Sequence, residues 1–307
     1  MAATSILIYG RSGSGKSAQI GRLAEEVYVT TGLKTRVYSA DFGGNDVNAA
    51  YIDLGIIEVV EIAATDPWIF LNKAVRGQVR NDKGQWLKDE KRNATIGMYA
   101  YESAHGFAQL LRLNMNDKAS TGSTIGGDTN SSFEVAGDGE KFKIGSVKGF
   151  QQYAIPQQQM LMAMYESFKL PAQYIVWSAG VDTGSDELNA QKVVGPSVIG
   201  GALTTVLTKD FNYAVRIDAV TAKGSATKHV LYLGTQPDSN ASNATALGNI
   251  RRPLDANELK ELTIEPADLV KALRLMREEA KEQAKLKIQA RLKIASEASN
   301  QVDKVKK

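Results

Sequence analysis

The residues best able to do chemistry stand near the start: Gly10-Arg11-Ser12-Gly13-Ser14-Gly15-Lys16-Ser17, which fits G-x-x-x-x-G-K-[ST] at every fixed position. Glycines in such a loop let backbone N–H groups close on phosphate oxygens without a Cβ in the way. A following helix N-terminus adds positive partial charge. Lys16 is placed to reach β- and γ-phosphates, and the Ser17 hydroxyl to serve as a Mg²⁺ ligand. The chemistry implied is binding of a nucleoside triphosphate, ATP with Mg²⁺ above all. Hydrolysis further needs a carboxylate near the metal, a group that orients water, and positive charge on the γ-phosphate. Met98-Tyr99-Ala100-Tyr101-Glu102-Ser103 has the layout of a Walker B strand. Glu102 there is a metal-site carboxylate, with Glu where Asp is usual; the competing reading is a helix N-cap acid. Asp41 stands where it can polarise water, or simply forms a turn before Gly43-Gly44. Ser178 is a γ-phosphate sensor or a plain strand-end serine. Arg251 and Arg252 are a finger acting across a subunit interface, or surface arginines. His105 reads as a packed or capping histidine.

Those residues need elements to hold them. Ser5–Tyr9 is a short apolar run, as a buried strand ahead of a phosphate loop should be. Ala18–Val27 has apolar residues at helical spacing, and Thr31-Gly32 supplies a stop. Thr35–Ala40 and Ile56–Ile62 are the second and third strands. Asp66-Pro67 opens a helix to about Val79, followed by a turn at Asn81–Gly84. Ala94–Tyr101 is the fourth strand, and Ser103 to about Leu113 a helix. Pro156–Phe168 is helical and Gln173–Ser178 is the fifth strand. Gly180–Gly195 reads as polar loop and Pro196–Leu207 as helix. Phe211–Val220 and Lys228–Leu233 are antiparallel neighbours across Lys223-Gly224-Ser225. The alternation predicts an α/β core with a mainly parallel sheet and a C-terminal antiparallel β-pair. Ligands then bind at the carboxyl ends of the strands, where Asp41, Glu102 and Ser178 stand.

Asn114 to Gly149 is rich in Gly, Ser, Thr, Asp and Asn, with apolar islands at Ser132–Val135 and Lys141–Ile144. A mobile hairpin projecting from the core is expected there. From about Glu265 the chain turns helical, with apolar residues at 269, 273, 276, 280, 284, 288 and 292. That stripe suits docking on the body or on a neighbouring subunit. The expected division is a core over residues 1–255 and a basic helical tail over 256–307.

Net charge is only +3 over 307 residues, but residues 267–307 hold 11 Lys/Arg against 6 Asp/Glu, leaving the body near −2. The basic tail attracts nucleic acid or an acidic partner, or is a solvated helix face. Hydrophobic residues make up 43% and charged residues 23%, and there are no cysteines. Disulfides, zinc ribbons and thiol nucleophiles are therefore excluded, and a cytoplasmic setting is permitted. With two histidines, a histidine-rich metal site is excluded as well. Met1–Ser5 leads straight into the first strand, so no signal peptide is expected. No run of about 18 apolar residues predicts a membrane span.

The order of P-loop, strand ending Ser39-Ala40-Asp41, Walker B strand, long insert, sensor strand and final β-pair resembles the RecA-like core. It looks most like the phage-encoded RecA-like P-loop ATPases of single-strand annealing and recombination. Val194-Gly195-Pro196-Ser197, Gly200-Gly201-Ala202-Leu203, Leu233-Gly234-Thr235 and Leu247 to Leu254 add to that likeness, which spans roughly residues 4–255. The resemblance implies a homo-oligomer, a water-activating role for Asp41, single-stranded DNA as partner, and work beside phage replication, recombination or packaging proteins in the host cytoplasm. The loops carry few basic or aromatic residues for DNA: between 114 and 150 they are Lys118, Lys141, Lys143 and Lys148 with Phe133, Phe142 and Phe150. A packaging or assembly ATPase and a non-catalytic nucleotide-bound structural protein are the alternatives. A nucleoside kinase would need an arginine-rich lid, and the Asn114–Gly149 insert has no arginine.

Overall fold

The structure is a computed structural model. It describes residues 3–40, 46–62, 66–81, 83–87, 93–120, 133–137, 140–144, 154–186, 191–198, 203–204, 207–221, 226–233, 236–237, 244–246, 249–250, 263–278, 281, 285–286, 288–289 and 291. Strand β1 (Thr4–Tyr9) runs into the phosphate loop and then helix α1 (Lys16–Thr31). Strands β2 (Lys34–Ser39) and β3 (Ile57–Glu61) follow, separated by the short helix α2 (Ala49–Asp53). Next come α3 (Pro67–Ala74), β4 (Ile96–Glu102) and α4 (Ala104–Ser120). Helix α5 (Ala154–Ser167) leads to the long β5 (Tyr174–Asp186), β6 (Gln191–Ser197), β7 (Tyr213–Val220) and β8 (Lys228–Tyr232).

The strands lie in the order β3-β2-β4-β5-β1-β7-β8, with residues 263–264 closing the edge beyond β8. Every pairing from β3 across to β7 is parallel. Beyond β7 the pairings turn antiparallel, β7 with β8 and β8 with 263–264, and β6 and residues 249–250 add antiparallel to β5 and β7. Thus β5 separates the P-loop strand from the strand that ends in Glu102. The fold is mixed α/β on a mostly parallel sheet, as the alternation of elements predicts.

Both faces of the sheet are covered, as parallel sheets require. On one face Ile6, Ile8, Val37, Ala100, Val176 and Val215 pack under α1 residues Ile20, Leu23, Ala24 and Val27. On the other, Leu7, Tyr9, Tyr38, Tyr101 and Trp177 pack against α3, α4 and α5. The second face is strongly aromatic. Tyr101 stacks on Trp177 with ring centroids 4.2 Å apart, and Tyr38 on Tyr101 at 5.4 Å. Offset stacks of this kind add about 0.5–1.5 kcal/mol beyond area burial.

Local chemistry explains the helix ends. Gly32 takes φ 71° and its N–H donates to the Tyr28 carbonyl, closing α1. Pro67 occupies the first turn of α3, where its missing N–H costs nothing. Residues 269–278 are helical and bury Leu269, Ala272, Leu273 and Met276 against the α1-side core. The tail's first turns therefore dock on the body of the same chain.

Several expectations differ from the structure. Helix α3 ends at Ala74 rather than near Val79, because Val79–Arg80 turns to pair as a short strand with Trp86–Leu87. Gly180–Gly195 is not loop: β5 continues to Asp186 and pairs antiparallel with β6, Thr183 opposite Val194. Val193 and Val194 are buried by that ladder, so tertiary packing outweighs a turn-rich composition. Pro196 is strand rather than helix start. It lies past the stretch of β6 shared with 244–246, where a missing N–H is tolerated. Helix α4 reaches Ser120 rather than stopping near Leu113, because lengthening an existing helix is far easier than starting one. Within the insert, 133–137 and 140–144 form an antiparallel hairpin, Phe133 opposite Ile144 and Val135 opposite Phe142.

Candidate functional site

Strand periodicity builds the site. Tyr9, Tyr38, Tyr101 and Trp177 face the aromatic side of the sheet. The pleat turns each next residue to the α1 side, which puts Gly10, Ser39, Glu102 and Ser178 together at the carboxyl tips. The register agrees: Ser39 lies opposite Glu102, and Ile8 opposite Ser178.

The loop between β1 and α1 is shaped by its glycines. A Cβ on Gly10 would stand 2.1 Å from the Ile217 carbonyl oxygen and 2.6 Å from Ser14 Oγ, so no other residue fits. Gly13 and Gly15 hold φ of 74° and 98°, in the left-handed region. Lys16 Nζ donates to the carbonyls of Gly10 at 3.0 Å and Arg11 at 2.9 Å, so its ammonium lies across the loop.

Ser17 and Glu102 meet directly: Ser17 Oγ donates to Glu102 Oε1. Glu102 is 2% exposed. The extra methylene of Glu over Asp spans from the tip of β4 to the first turn of α1. A hydroxyl and a carboxylate in contact below a phosphate loop are a hard-oxygen donor pair suited to Mg²⁺. Two buried hydroxyls beside them, Ser14 Oγ and Ser178 Oγ, have no hydrogen-bond partner among the described residues. Buried hydroxyls without partners are unusual in a folded chain and suit a polar ligand. The cradle, the cation and the donor pair fit a Mg-bound triphosphate. Among the described residues no group of three or more His, Cys, Asp or Glu could hold a metal by itself.

Asp41, Arg251 and Arg252 lie outside the described residues, so the sequence-based roles given to them meet no geometry here. The residue before Asp41 is described: the Ala40 N–H donates to the Glu102 carbonyl, holding the ends of β2 and β4 together. His105 is a packed histidine, its Nδ1 lying 3.0 Å from the Val198 carbonyl oxygen and 3.2 Å from Ser197 Oγ.

Several supporting residues have no motif to announce them. His229 on β8 places Nδ1 2.8 Å from the Ser14 carbonyl oxygen, under the loop. Asn48 donates from Nδ2 to the Ser17 carbonyl at 3.1 Å. On β7, Arg216 and Asp218 form a buried ion pair at 2.6 Å on either side of Ile217, whose carbonyl abuts Gly10. Removing one partner of such a buried pair costs about 3–5 kcal/mol. The alternation of polar and apolar residues on β7 was the only sequence signal for it.

No family model matches the chain, and no curated protein matches it. Among solved structures, a KaiC-like protein of the archaeon Pyrococcus horikoshii aligns at 11% identity and a TM-score of 0.37, covering 76% of this chain and 78% of that one. The flagellar accessory protein FlaH of Methanocaldococcus jannaschii aligns at 10% identity and a TM-score of 0.39, with the same coverage.

Proposed function

We propose that this chain binds ATP with Mg²⁺ at the Gly10–Ser17 cradle and hydrolyses it, as one copy of a homo-oligomer whose cycle is coupled to single-stranded DNA. The observation that carries the reading is the direct contact of Ser17 with the buried carboxylate of Glu102, below a loop spanned by Lys16. Mg²⁺, when bound, would neutralise phosphate charge. The chain's own residues do the rest. The first N–H groups of α1 lack helical partners and bind phosphate oxygens. Lys16 exchanges its bonds to the Gly10 and Arg11 carbonyls for the triphosphate. Ser17 and Glu102 would hold the metal, and Ser178 would donate to the γ-phosphate.

In this reading Asp41 accepts the proton of the attacking water, while Arg251 or Arg252 of a neighbouring copy neutralises charge on the transferred group. The core is residues 1–255, and the basic 256–307 segment with the 133–144 hairpin serves the nucleic acid. What supports DNA as partner is the local positive charge of the tail and the lysines and phenylalanines of the hairpin region.

The test is phosphate release and oligonucleotide binding by wild type and Lys16→Ala. Expected are multiple turnovers stimulated by single strands, DNA affinity that falls with salt, and loss of turnover in the variant. Stimulation by duplex DNA or capsid protein instead would assign the chain to packaging or assembly. Nucleotide bound without any turnover would make it a structural protein.

A further inference from the structure

A cavity of about 450 Å³ lies beside the phosphate loop on the α1 side of the sheet, and the site described above does not use it. Its floor is Gly15 with the first turns of α1, namely Ala18, Gln19 and Arg22. One wall is the start of β8, Thr227 to His229, and the other is residues 265–267 from the C-terminal segment. Its size falls within the roughly 300–1,000 Å³ of pockets that hold small organic ligands. Because Gly15 belongs to both, a triphosphate in the cradle has this space next to its inner end.

The C-terminal wall is fastened to the floor and to the other wall. The Gln19 side chain donates to the Ala267 carbonyl at 2.9 Å and accepts from the Leu269 N–H at 2.8 Å. Arg22 Nη1 donates to the same carbonyl at 3.2 Å. The Ala267 N–H donates to the His229 carbonyl at 2.7 Å, while the His229 ring reaches the Ser14 carbonyl oxygen. Lys228 pairs with Glu265 at 2.5 Å across the rim. Residues 265–269, which launch the C-terminal helix, are thus held by groups that also shape the loop.

We propose that this cavity takes the nucleoside end of the bound nucleotide, and that residues 265–269, as its outer wall, make docking of the C-terminal helix part of nucleotide binding. The proposal rests on the phosphate-site reading above and adds two things: where base and ribose lie, and what the first part of the tail does. Linkage makes the effect reciprocal. A ligand that touches the wall favours the docked helix, and a docked helix raises affinity for that ligand.

The experiment uses the full chain with Mg²⁺ and two probes, ATP and inorganic tripolyphosphate, which lacks the nucleoside. Affinities are read by calorimetry, and order in residues 263–278 by hydrogen exchange. Wild type is expected to bind ATP roughly ten-fold or more tighter than tripolyphosphate, with exchange in 263–278 slowed by ATP alone. Thr227→Trp, at the exposed rim, should fill the cavity and bring ATP down to the affinity of tripolyphosphate, leaving the latter unchanged. Arg22→Ala, which frees the wall without filling the cavity, should weaken ATP selectively and quicken exchange in 263–278; it carries the test should the tryptophan variant fail to fold. Equal wild-type affinities for the two probes, or variants that bind ATP like wild type, overturn this proposal and leave the phosphate site standing. Binding of neither probe by wild type overturns the phosphate site, and this proposal with it.

Discussion

At the residue scale, the site separates atoms that shape the cradle from atoms that act in it. Gly10 shapes. An added methyl would meet the backbone of Ile217, which cannot swing away, so Gly10→Ala should cost about 3 kcal/mol or prevent folding, as read by urea unfolding. Ser178 acts. Its hydroxyl is buried without a described partner, so Ser178→Ala should leave stability within about 0.5 kcal/mol of wild type. The same change should lower single-turnover hydrolysis by roughly ten-fold. A stability loss with unchanged turnover would reverse that assignment. Glu102→Gln keeps shape and removes charge. Nucleotide binding should persist, while turnover falls at least about 100-fold in a phosphate-release assay. The phosphate-loop motif announced Gly10 and the layout of a Walker B strand announced Glu102, while Ser178 is found only by asking what stands at the tip of the next strand.

At the scale of elements, the aromatic shelf under the site and the docking of the C-terminal helix make separate predictions. Tyr38, Tyr99 and Tyr101 occupy adjacent strands. Burial pushes their phenol pKa values up, that of Tyr99 to about 12 and that of Tyr101 well above the ordinary 10. The folded state therefore holds these protons more tightly than the unfolded chain. Stability from this source is complete below pH 10 and is lost as pH rises beyond it. A urea-midpoint series from pH 8 to 12 should show a fall that begins near 10. The helix at 269–278 presses Leu273 into the α1-side core at 2% exposure, so Leu273→Ala should cost about 2–4 kcal/mol by thermal unfolding. A cost near zero would mean that this helix leaves the body in solution. Helical spacing in the sequence picked out Leu269, Leu273 and Met276, which are buried, but also Ile288, which is exposed, and it did not show what the buried ones pack against.

At the scale of the molecule, the two faces of the sheet differ: one is an aromatic foundation, and the other carries the strand tips of the proposed site and the docked C-terminal helix. If the proposed site draws positive charge from Arg251 or Arg252 of another copy, it has to assemble to work. Gel filtration with ATP, Mg²⁺ and an oligonucleotide should therefore show a shift to a larger species. That species should disappear in Lys16→Ala and weaken steeply between low and moderate salt. No helix among the described residues is long and apolar enough to cross a membrane.

The sequence by itself determined the phosphate cradle, because glycine spacing and a following helix are local properties. It also placed Asp41, Glu102 and Ser178 at strand ends, since apolar runs and their polar stops are local, but whether these tips share a face depends on the register between strands. It did not determine strand order. That β5 lies between β1 and β4, and so carries Ser178 to the cradle's flank, depends on parallel crossovers that composition does not encode. The contacts of His229 with Ser14 and of Gln19 with residues 267–269 were equally hidden. They join positions more than 200 residues apart, and their partners are backbone groups, which any residue supplies. A carbonyl carries no side-chain signature, so only the packed chain could show which one each side chain holds.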